Sequence, residues 1–371
     1  MITFKEKPFR FRSLTLAEPY RGRKMRDQLR GRVPGARKLL DIYFRNEANR
    51  IANIGKRKLD SGLPEGRRFI AGIPLITAGI GHAHTEWHTA FQWAPQLELE
   101  FANIPLKTIT SDRWCRFFGH NDLPKYNDIL KEHKPVIVHV PFVATKASLG
   151  SDVPRKIKDF VESIRSHRNL LFLLGDGQSA FDMITHFAKS KELFENKGDW
   201  RSLPIHRQAG RINIAVHIRR GEVARMAAEK AGNWQERYVQ EDWFVKIMDS
   251  VVDACQGKQL VFHVYSEGNP INFPMIAARK DVELHLDLSE QETILNMVRA
   301  DVLIMSPSGF SYLAAMLSSG IKIVRYPWWG YIPDTDGWIR VHKGQRLSTN
   351  VLRVSLGEIL ENPFINPTGP L

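Results

Sequence analysis

NIAVHIRRGE, residues 213–222, shows the kind of fold to which this chain belongs. The apolar residues Ile214, Val216 and Ile218 alternate with polar or small residues, and this alternation predicts a buried strand. The strand ends in Arg219 and Arg220, and the carboxyl ends of strands are where open α/β sheets bind ligands. Neighbouring side chains on a strand point to opposite faces, so the two arginines can share a ligand only if the chain bends, which Gly221 permits. The alternative interpretation is a strand end with solvated arginines.

The arginine pair and Glu222 together indicate chemistry on an anion. Guanidinium groups are suited to bidentate recognition of phosphate, and a neighbouring carboxylate can accept a proton. This combination is typical of a diphosphate leaving group beside a general base.

A second stretch, DVLIMSPSGFSYLAAML at residues 301–317, predicts a strand, a Ser/Gly loop and a helix. The amides at the helix N-terminus and the hydroxyls of Ser306, Ser308 and Ser311 favour a bound anion. Two anion-binding features in one α/β unit favour a nucleotide as the ligand.

Strands alternate with helical patterns along most of the chain, which predicts an α/β fold with parallel sheets. The polar stretch 196–208 is the predicted linker. The predicted domains are a basic extension with an amphipathic helix (1–66), an N-terminal α/β domain (67–208), a C-terminal α/β domain (209–345) and a tail (346–371). The predicted strands are 68–78, 135–142, 170–174, 213–219, 259–265, 282–288, 301–305 and 321–326.

A glycine turn follows the first predicted strand, at Gly79 and Gly81. Such a turn before a helix brings backbone amides close to a ligand. His82 and Glu86 in the same segment are candidate acid–base groups.

No metal site is expected. His84 and His88 have the spacing of a metal pair, but a third ligand is not recognisable. Asp334-Thr335-Asp336 has the form of a metal-binding DxD and is interpreted as a turn.

Charge is concentrated at the start of the chain. Residues 1–66 contain 17 Lys and Arg against 7 Asp and Glu, a net of +10 out of +13 for the whole protein. This segment, with a basic helix predicted from Ala36 to about Leu59, would be drawn to anionic lipid or nucleic acid, or form a solvated arm. Two cysteines and no long apolar run predict a cytoplasmic protein, with peripheral contact to the membrane as one interpretation.

The motifs resemble those of a known family. His217-Ile218-Arg219-Arg220-Gly221-Glu222 is similar to the HxRRGD motif of the α1,2-fucosyltransferases and, more loosely, to the HxRR motif of the α1,6-fucosyltransferases. Residues 300–317 resemble the later Ser-x-Ser-x-Phe-Ser motif of that superfamily, and GIGH at 79–82 stands where it has a glycine-rich loop. The resemblance implies a GT-B glycosyltransferase in which two Rossmann-like domains face a cleft, acting by inversion without metal on GDP-fucose.

The resemblance also implies roles for individual residues. Arg219 and Arg220 would bind and stabilise the departing diphosphate, and His217 would lie near the nucleoside or phosphate. The base remains open between Glu222, which stands in place of the family's aspartate, and His82 or Glu86. The remaining donor-site residues would be Ser266, Glu267 and Asp287 at the base or ribose, and Ser306, Ser308, Gly309, Phe310 and Ser311 at the phosphates.

Three alternatives remain open at this point: a transferase for another nucleotide sugar, a polysaccharide pyruvyltransferase, and a basic nucleic-acid-binding protein. The expected acceptor is a glycan, either a surface polysaccharide or a lipid-linked oligosaccharide. Nucleic acid is not expected as a partner, because the aromatic residues are not interleaved with cations.

Overall fold

The structure is a computed structural model, and it describes residues 36–74, 79–106, 112–140, 152–175, 187–229, 234–326, 332 and 337–361. The chain divides into two compact units. The first comprises Met1–Ala78, Glu86–Thr110 and Asp122–Met183, and the second comprises Gly79–Thr85, Ser111–Asn121 and Ile184–Leu371. The domain boundaries drawn from the sequence remain predictions.

The first unit contains a four-stranded sheet, and of the elements up to residue 197 those at 80–85, 113–117 and 188–197 belong to the second unit. All pairings in this sheet are parallel, in the order β2-β1-β4-β3. Strands β1 and β4 are apolar and almost wholly buried, as parallel strands covered on both faces must be. The elements are α1 (Ala36–Asp60), β1 (Arg68–Gly72), α2 (Ile80–Gln96), β2 (Glu100–Phe101), α3 (Arg113–Phe117), α4 (Tyr126–His133), β3 (Val136–His139), α5 (Asp152–Ser163), β4 (Leu170–Leu174) and α6 (Ala188–Lys197).

The basic helix predicted near Ala36 is confirmed as α1. Ala48 and Ile51 on this helix are buried. A Cβ added at Gly55 would lie 2.0 Å from the carbonyl oxygen of Arg165, so this part of α1 packs directly on the first unit. This packing does not test the membrane contact predicted for residues 1–66, which stays a prediction.

The second unit contains a six-stranded parallel sheet in the order β10-β9-β8-β5-β6-β7. Numbered within the unit, this is the doubly wound order 3-2-1-4-5-6, in which the strand order reverses between β5 and β8. Its elements are β5 (Ile212–His217), α7 (Glu222–Ala228), α8 (Trp234–Arg237), α9 (Glu241–Cys255), β6 (Leu260–Ser266), a 3₁₀ turn (Pro270–Asn272), α10 (Pro274–Ala277), β7 (Val282–Leu286), α11 (Glu290–Arg299), β8 (Val302–Met305), α12 (Gly309–Leu317), β9 (Ile321–Tyr326), β10 (Trp338–His342) and α13 (Thr349–Glu361).

The two faces of this sheet differ in chemistry. Alternate residues of β5, among them Ile214 and Val216, join a large apolar core with Phe262 of β6 and with α9 and α13. The residues between them, including Asn213 and His217, point to the other face. Polar groups therefore gather on one side of the sheet.

The predicted α/β class with two parallel sheets is confirmed. Strands β4 and β9 have the predicted bounds, and β5, β6, β7 and β8 are within two residues of theirs. Strand β1 ends at Gly72 and β3 at His139, earlier than predicted, and β2 was not predicted. Strand β10 and helix α13 were not predicted: both lie where the sequence suggested irregular chain and tail. Among the residues that the structure describes, no helix is long and apolar enough to cross a membrane.

Candidate functional site

The candidate site lies at the carboxyl ends of β5 and β8, where the strand order of the second sheet reverses. A doubly wound sheet opens a crevice at this position, because the connections from the two central strands leave toward opposite faces. The loop after β5 carries Arg219, and the loop after β8 carries Ser306 and Ser308. Pairing of the two strands thus brings together two motifs that are 87 residues apart in the chain.

Ser306 fixes the bend at the end of β5. Its backbone N donates to the carbonyl oxygen of His217 at 3.1 Å, and its Oγ donates to the same oxygen at 2.8 Å. The backbone N of Arg219 in turn donates to Ser306 Oγ at 2.9 Å. The Ser306 hydroxyl thus donates its proton to the carbonyl oxygen of His217 and holds the backbone of Arg219, and its contact with a phosphate stays a prediction.

The guanidinium of Arg219 is held at the N-terminus of α12. Arg219 Nη1 donates to Ser308 Oγ at 2.8 Å, and Ser308 is the N-cap of α12, accepting from Phe310 N at 3.2 Å. A fixed cation therefore lies beside the positive end of a helix dipole, and both attract an anion.

The pKa of Arg219 reflects its burial more than its charged neighbours. Burial, followed by the charge of Arg237, lowers the pKa of Arg219, while the nearby carboxylates of Glu267 and Glu222 raise it. Arg237, on α8, was missed by the sequence analysis, which found no motif around it. A bound anion would relieve the repulsion between the two guanidinium groups.

Gly221 allows a carboxylate to approach this site. Its φ of 50° lies in the left-handed region, and a Cβ there would be 2.1 Å from Glu267 Oε2. The side chain of Glu267, at the end of β6, therefore packs directly on the backbone after the arginine pair. Glu222 is exposed in the first turn of α7.

Arg220 points away from Arg219 and into packed surroundings. Its guanidinium lies 4.4 Å from the ring centroid of Tyr238 and 5.6 Å from that of Phe273, and it donates to the carbonyl oxygen of Val239 at 3.1 Å. These contacts hold the Arg220 guanidinium, and whether it shares a ligand with Arg219 is not tested by them. That Arg220 binds a donor phosphate stays a prediction.

The glycine turn belongs to this site through backbone contact. A Cβ on Gly81 would lie 2.2 Å from the carbonyl carbon of Gly309 and 2.6 Å from the backbone N of Phe310. Only a residue without a side chain allows the turn to lie this close to the first residues of α12. Gly79, by contrast, has open space where its Cβ would be.

The remaining predicted residues, Ser266, Ser311 and Asp287, form hydrogen bonds with backbone groups near the strand ends. Ser266 Oγ donates to the carbonyl oxygen of Ile218 at 2.6 Å, and Ser311 Oγ donates to that of Ser306 at 2.9 Å. Asp287, with a φ of 55°, accepts from Gly268 N at 3.1 Å. These groups shape the rim of the site, and their contact with a nucleotide stays a prediction.

Two of the three candidate bases, His82 and Glu222, have described side chains. His82 is partly buried in the first turn of α2, and Glu222 is exposed. The side chain of Glu86 and residues 333–336, which include the DxD, lie outside the described residues. The choice of base therefore stays open.

His217 is buried, with 7% of its surface exposed, and its ring lies 5.5 Å from that of Phe310. Its Nδ1 has no hydrogen-bond partner among the described residues. Burial, with a smaller contribution from Arg219, lowers the pKa of His217 to about 3. The imidazole is thus neutral at pH 7 and can offer a hydrogen bond without charge.

The free energy of unfolding should depend on pH through His217. The imidazole has a pKa of about 6.5 in the unfolded chain and of about 3 in the folded one. Between these pH values, protons therefore bind preferentially to the unfolded state. We expect the contribution of His217 to the free energy of unfolding to be fully present above about pH 6.5. This contribution should be lost as the pH is lowered toward 3. Urea unfolding of the wild type and of His217→Phe between pH 7.5 and 4.5 should show a slope smaller by about one proton in the variant. His342→Phe, at an exposed position at the end of β10, should keep the wild-type slope, and equal slopes in all three proteins would refute the assignment.

Comparisons with known proteins find structural neighbours only. No protein-family model and no curated protein matches the chain. The fucosyltransferase NodZ from Bradyrhizobium is similar at 12% identity, with 73% of this chain and 98% of that chain covered and a TM-score of 0.43. POFUT1 in complex with GDP-fucose is similar at 11% identity (76% and 99% covered, TM-score 0.37), and the spinosyn rhamnosyltransferase SpnG at 10% identity (80% and 92% covered, TM-score 0.30).

Proposed function

We propose that this chain is a glycosyltransferase that transfers a sugar from a nucleoside diphosphate to a hydroxyl group of a glycan. The observation that carries the proposal is Arg219, which Ser308 fixes at the N-terminus of α12 where the strand order reverses. The proposed donor is GDP-fucose, on the strength of the motif resemblance at 217–222 and 300–317. The proposed acceptor is a surface polysaccharide or a lipid-linked oligosaccharide.

The proposed reaction is a single displacement with inversion and without metal. The acceptor oxygen attacks the anomeric carbon on the side opposite the diphosphate, and the bond between that carbon and the diphosphate oxygen breaks. Arg219, Arg237 and the helix dipole meet the charge that develops on the diphosphate, which is commonly the largest catalytic contribution. The acceptor proton passes to a carboxylate or imidazole, for which Glu222, His82 and Glu86 remain candidates.

His217 has a supporting role in this proposal. Its imidazole is neutral, and its Nδ1 lacks a partner among the described residues, so a nucleotide could supply the missing hydrogen bond. A neutral group here would contribute to recognition without adding to the repulsion between the guanidinium groups.

The proposed setting is the cytoplasm, with the basic segment at 1–66 in contact with the cytoplasmic face of the membrane. The charge of this segment favours anionic lipid, since each cation near such a surface contributes about 1 kcal/mol. Vesicle sedimentation of the full chain, with and without phosphatidylserine, would test the contact. Equal sedimentation on both vesicle types would refute it.

The test of the proposed donor is a calorimetric and thermal-shift titration without added metal, using GDP, UDP, CMP and phosphoenolpyruvate. We expect GDP to bind at one site and to raise the melting temperature, because a ligand at 100 times its dissociation constant stabilises the native state by about 2.7 kcal/mol. Binding of UDP or CMP in place of GDP would indicate another nucleotide sugar. Binding of phosphoenolpyruvate alone would indicate a pyruvyltransferase, and binding of none would refute the proposal.

A further inference from the structure

A cluster of metal-ligating side chains lies on the polar face of the second sheet, on strands β6 and β7. The register of this parallel pair places His263 opposite Glu283 and Tyr265 opposite His285. Because alternate residues of a strand share a face, His263, Glu283 and His285 converge. The nucleotide proposal makes no use of these three residues.

The three potential ligand atoms are spaced as a metal ion requires. His263 Nδ1 lies 3.1 Å from His285 Nε2 and 3.3 Å from Glu283 Oε2, and the last two atoms are 3.8 Å apart. Zinc binds imidazole nitrogen and carboxylate oxygen at about 2.0–2.2 Å, so two ligands of a tetrahedral site are about 3.3–3.5 Å apart. The observed separations bracket this value.

The orientation of His263 is set from the other side of its ring. The amide of Asn213 is fixed by backbone groups: its Oδ1 accepts from Gln208 N at 2.7 Å, and its Nδ2 donates to the carbonyl oxygen of Arg211 at 2.7 Å. His263 Nε2 lies 3.3 Å from Asn213 Oδ1 and must therefore be the donor. The lone pair of a neutral His263 is then on Nδ1, which faces His285 and Glu283. Such a second partner is what metal-ligating histidines usually have.

His285 and Glu283 are positioned as well. The ring of His285 stacks on that of His206 at 4.1 Å, with 9° between the planes, and on that of Tyr265 at 5.1 Å. Glu283 Oε1 accepts a hydrogen bond from Gln208, which leaves Oε2 toward the histidines.

We propose that His263, Glu283 and His285 bind a divalent transition-metal ion, with Zn²⁺ as the preferred ion. Two imidazoles and one carboxylate are a common ligand set for this class of metal. The Glu283 side chain is 45% exposed, so an ion can enter from solvent. The ion would link the edge strand β7 to β6 and thereby stabilise one side of the sheet. This structural role leaves the expectation of metal-free sugar transfer unchanged.

The test uses the full chain after chelator treatment and dialysis. Titration with ZnCl₂ by calorimetry, with metal content measured by mass spectrometry, should give one equivalent per chain. Glu283→Gln and His285→Gln should each weaken binding at least about 10-fold, a change of the size that even second-sphere partners cause. Co²⁺ should give the visible absorption of a four-coordinate site in the wild type and lose it in both variants.

His342→Gln is the control, because this exposed histidine lies in the same unit and outside the cluster. It should bind like the wild type. Glu283→Gln changes a partly exposed side chain, so it keeps the test valid if His285→Gln fails to fold, which circular dichroism would show. No binding by the wild type, or equal binding by the wild type and Glu283→Gln, would overturn the proposal.

Discussion

Replacing Arg219 with alanine is expected to lower kcat/KM for the nucleotide-sugar donor by about 10²- to 10³-fold, as removal of one preorganised donor to a developing anion does. The structure holds this guanidinium against Ser308 at the N-terminus of α12, so its position is set before a ligand arrives. The lost cation would also weaken binding of the free nucleotide diphosphate. Initial rates of nucleotide release, together with calorimetry on the diphosphate, measure both effects.

Arg225→Ala is the matched control for this prediction. Arg225 lies on α7, a few residues from Arg219, and its exposed side chain forms an ion pair with Glu229 at 3.4 Å. We expect activity and nucleotide binding close to the wild type. Equal activity of the Arg219 variant and this control would remove Arg219 from the site.

Gly81→Ala is expected to cost about 3 kcal/mol of stability and to reduce nucleotide binding strongly. The added methyl group would lie within 2.2 Å of the backbone of Gly309. Backbone atoms cannot turn aside as a flexible side chain can, so the first turn of α12 must shift, and overpacking of this kind typically costs about 1–3 kcal/mol. The shift would separate Ser308 from Arg219. Thermal unfolding should show a melting temperature lower by about 5–10 °C.

Gly79→Ala provides the comparison within the same turn. Its Cβ would enter open space, and Gly79 has no left-handed φ. We therefore expect wild-type stability and nucleotide binding. If the two variants behave alike, the close approach of the turn to α12 does not matter for the protein.

The sequence predicted those features of the site that depend on neighbouring residues. The alternation at 213–219 predicted β5, and the Ser/Gly loop before an apolar run predicted a helix from residue 311, which in the structure begins two residues earlier at Gly309. Strand periodicity and capping act over a few residues, so they can be read from the chain directly.

Features that depend on distant residues could not be predicted in this way. Arg219 and Arg220 are adjacent and chemically identical, yet one lies beside Ser308 and the other against Tyr238. Arg237, which lowers the pKa of Arg219 electrostatically, lies on a helix whose sequence carries no motif. Each of these placements follows from packing between elements far apart in the chain.

The sequence alone therefore determined the α/β class, the strand that leads to Arg219 and the helix that begins after Ser308, because backbone hydrogen bonding and hydrophobic periodicity are local. Only the tertiary structure decided the strand order that joins these two loops, the separation of the arginine pair, and the convergence of His263, Glu283 and His285. Strand order depends on which elements bury each other's apolar faces. Side chains from different strands meet only after that choice has been made.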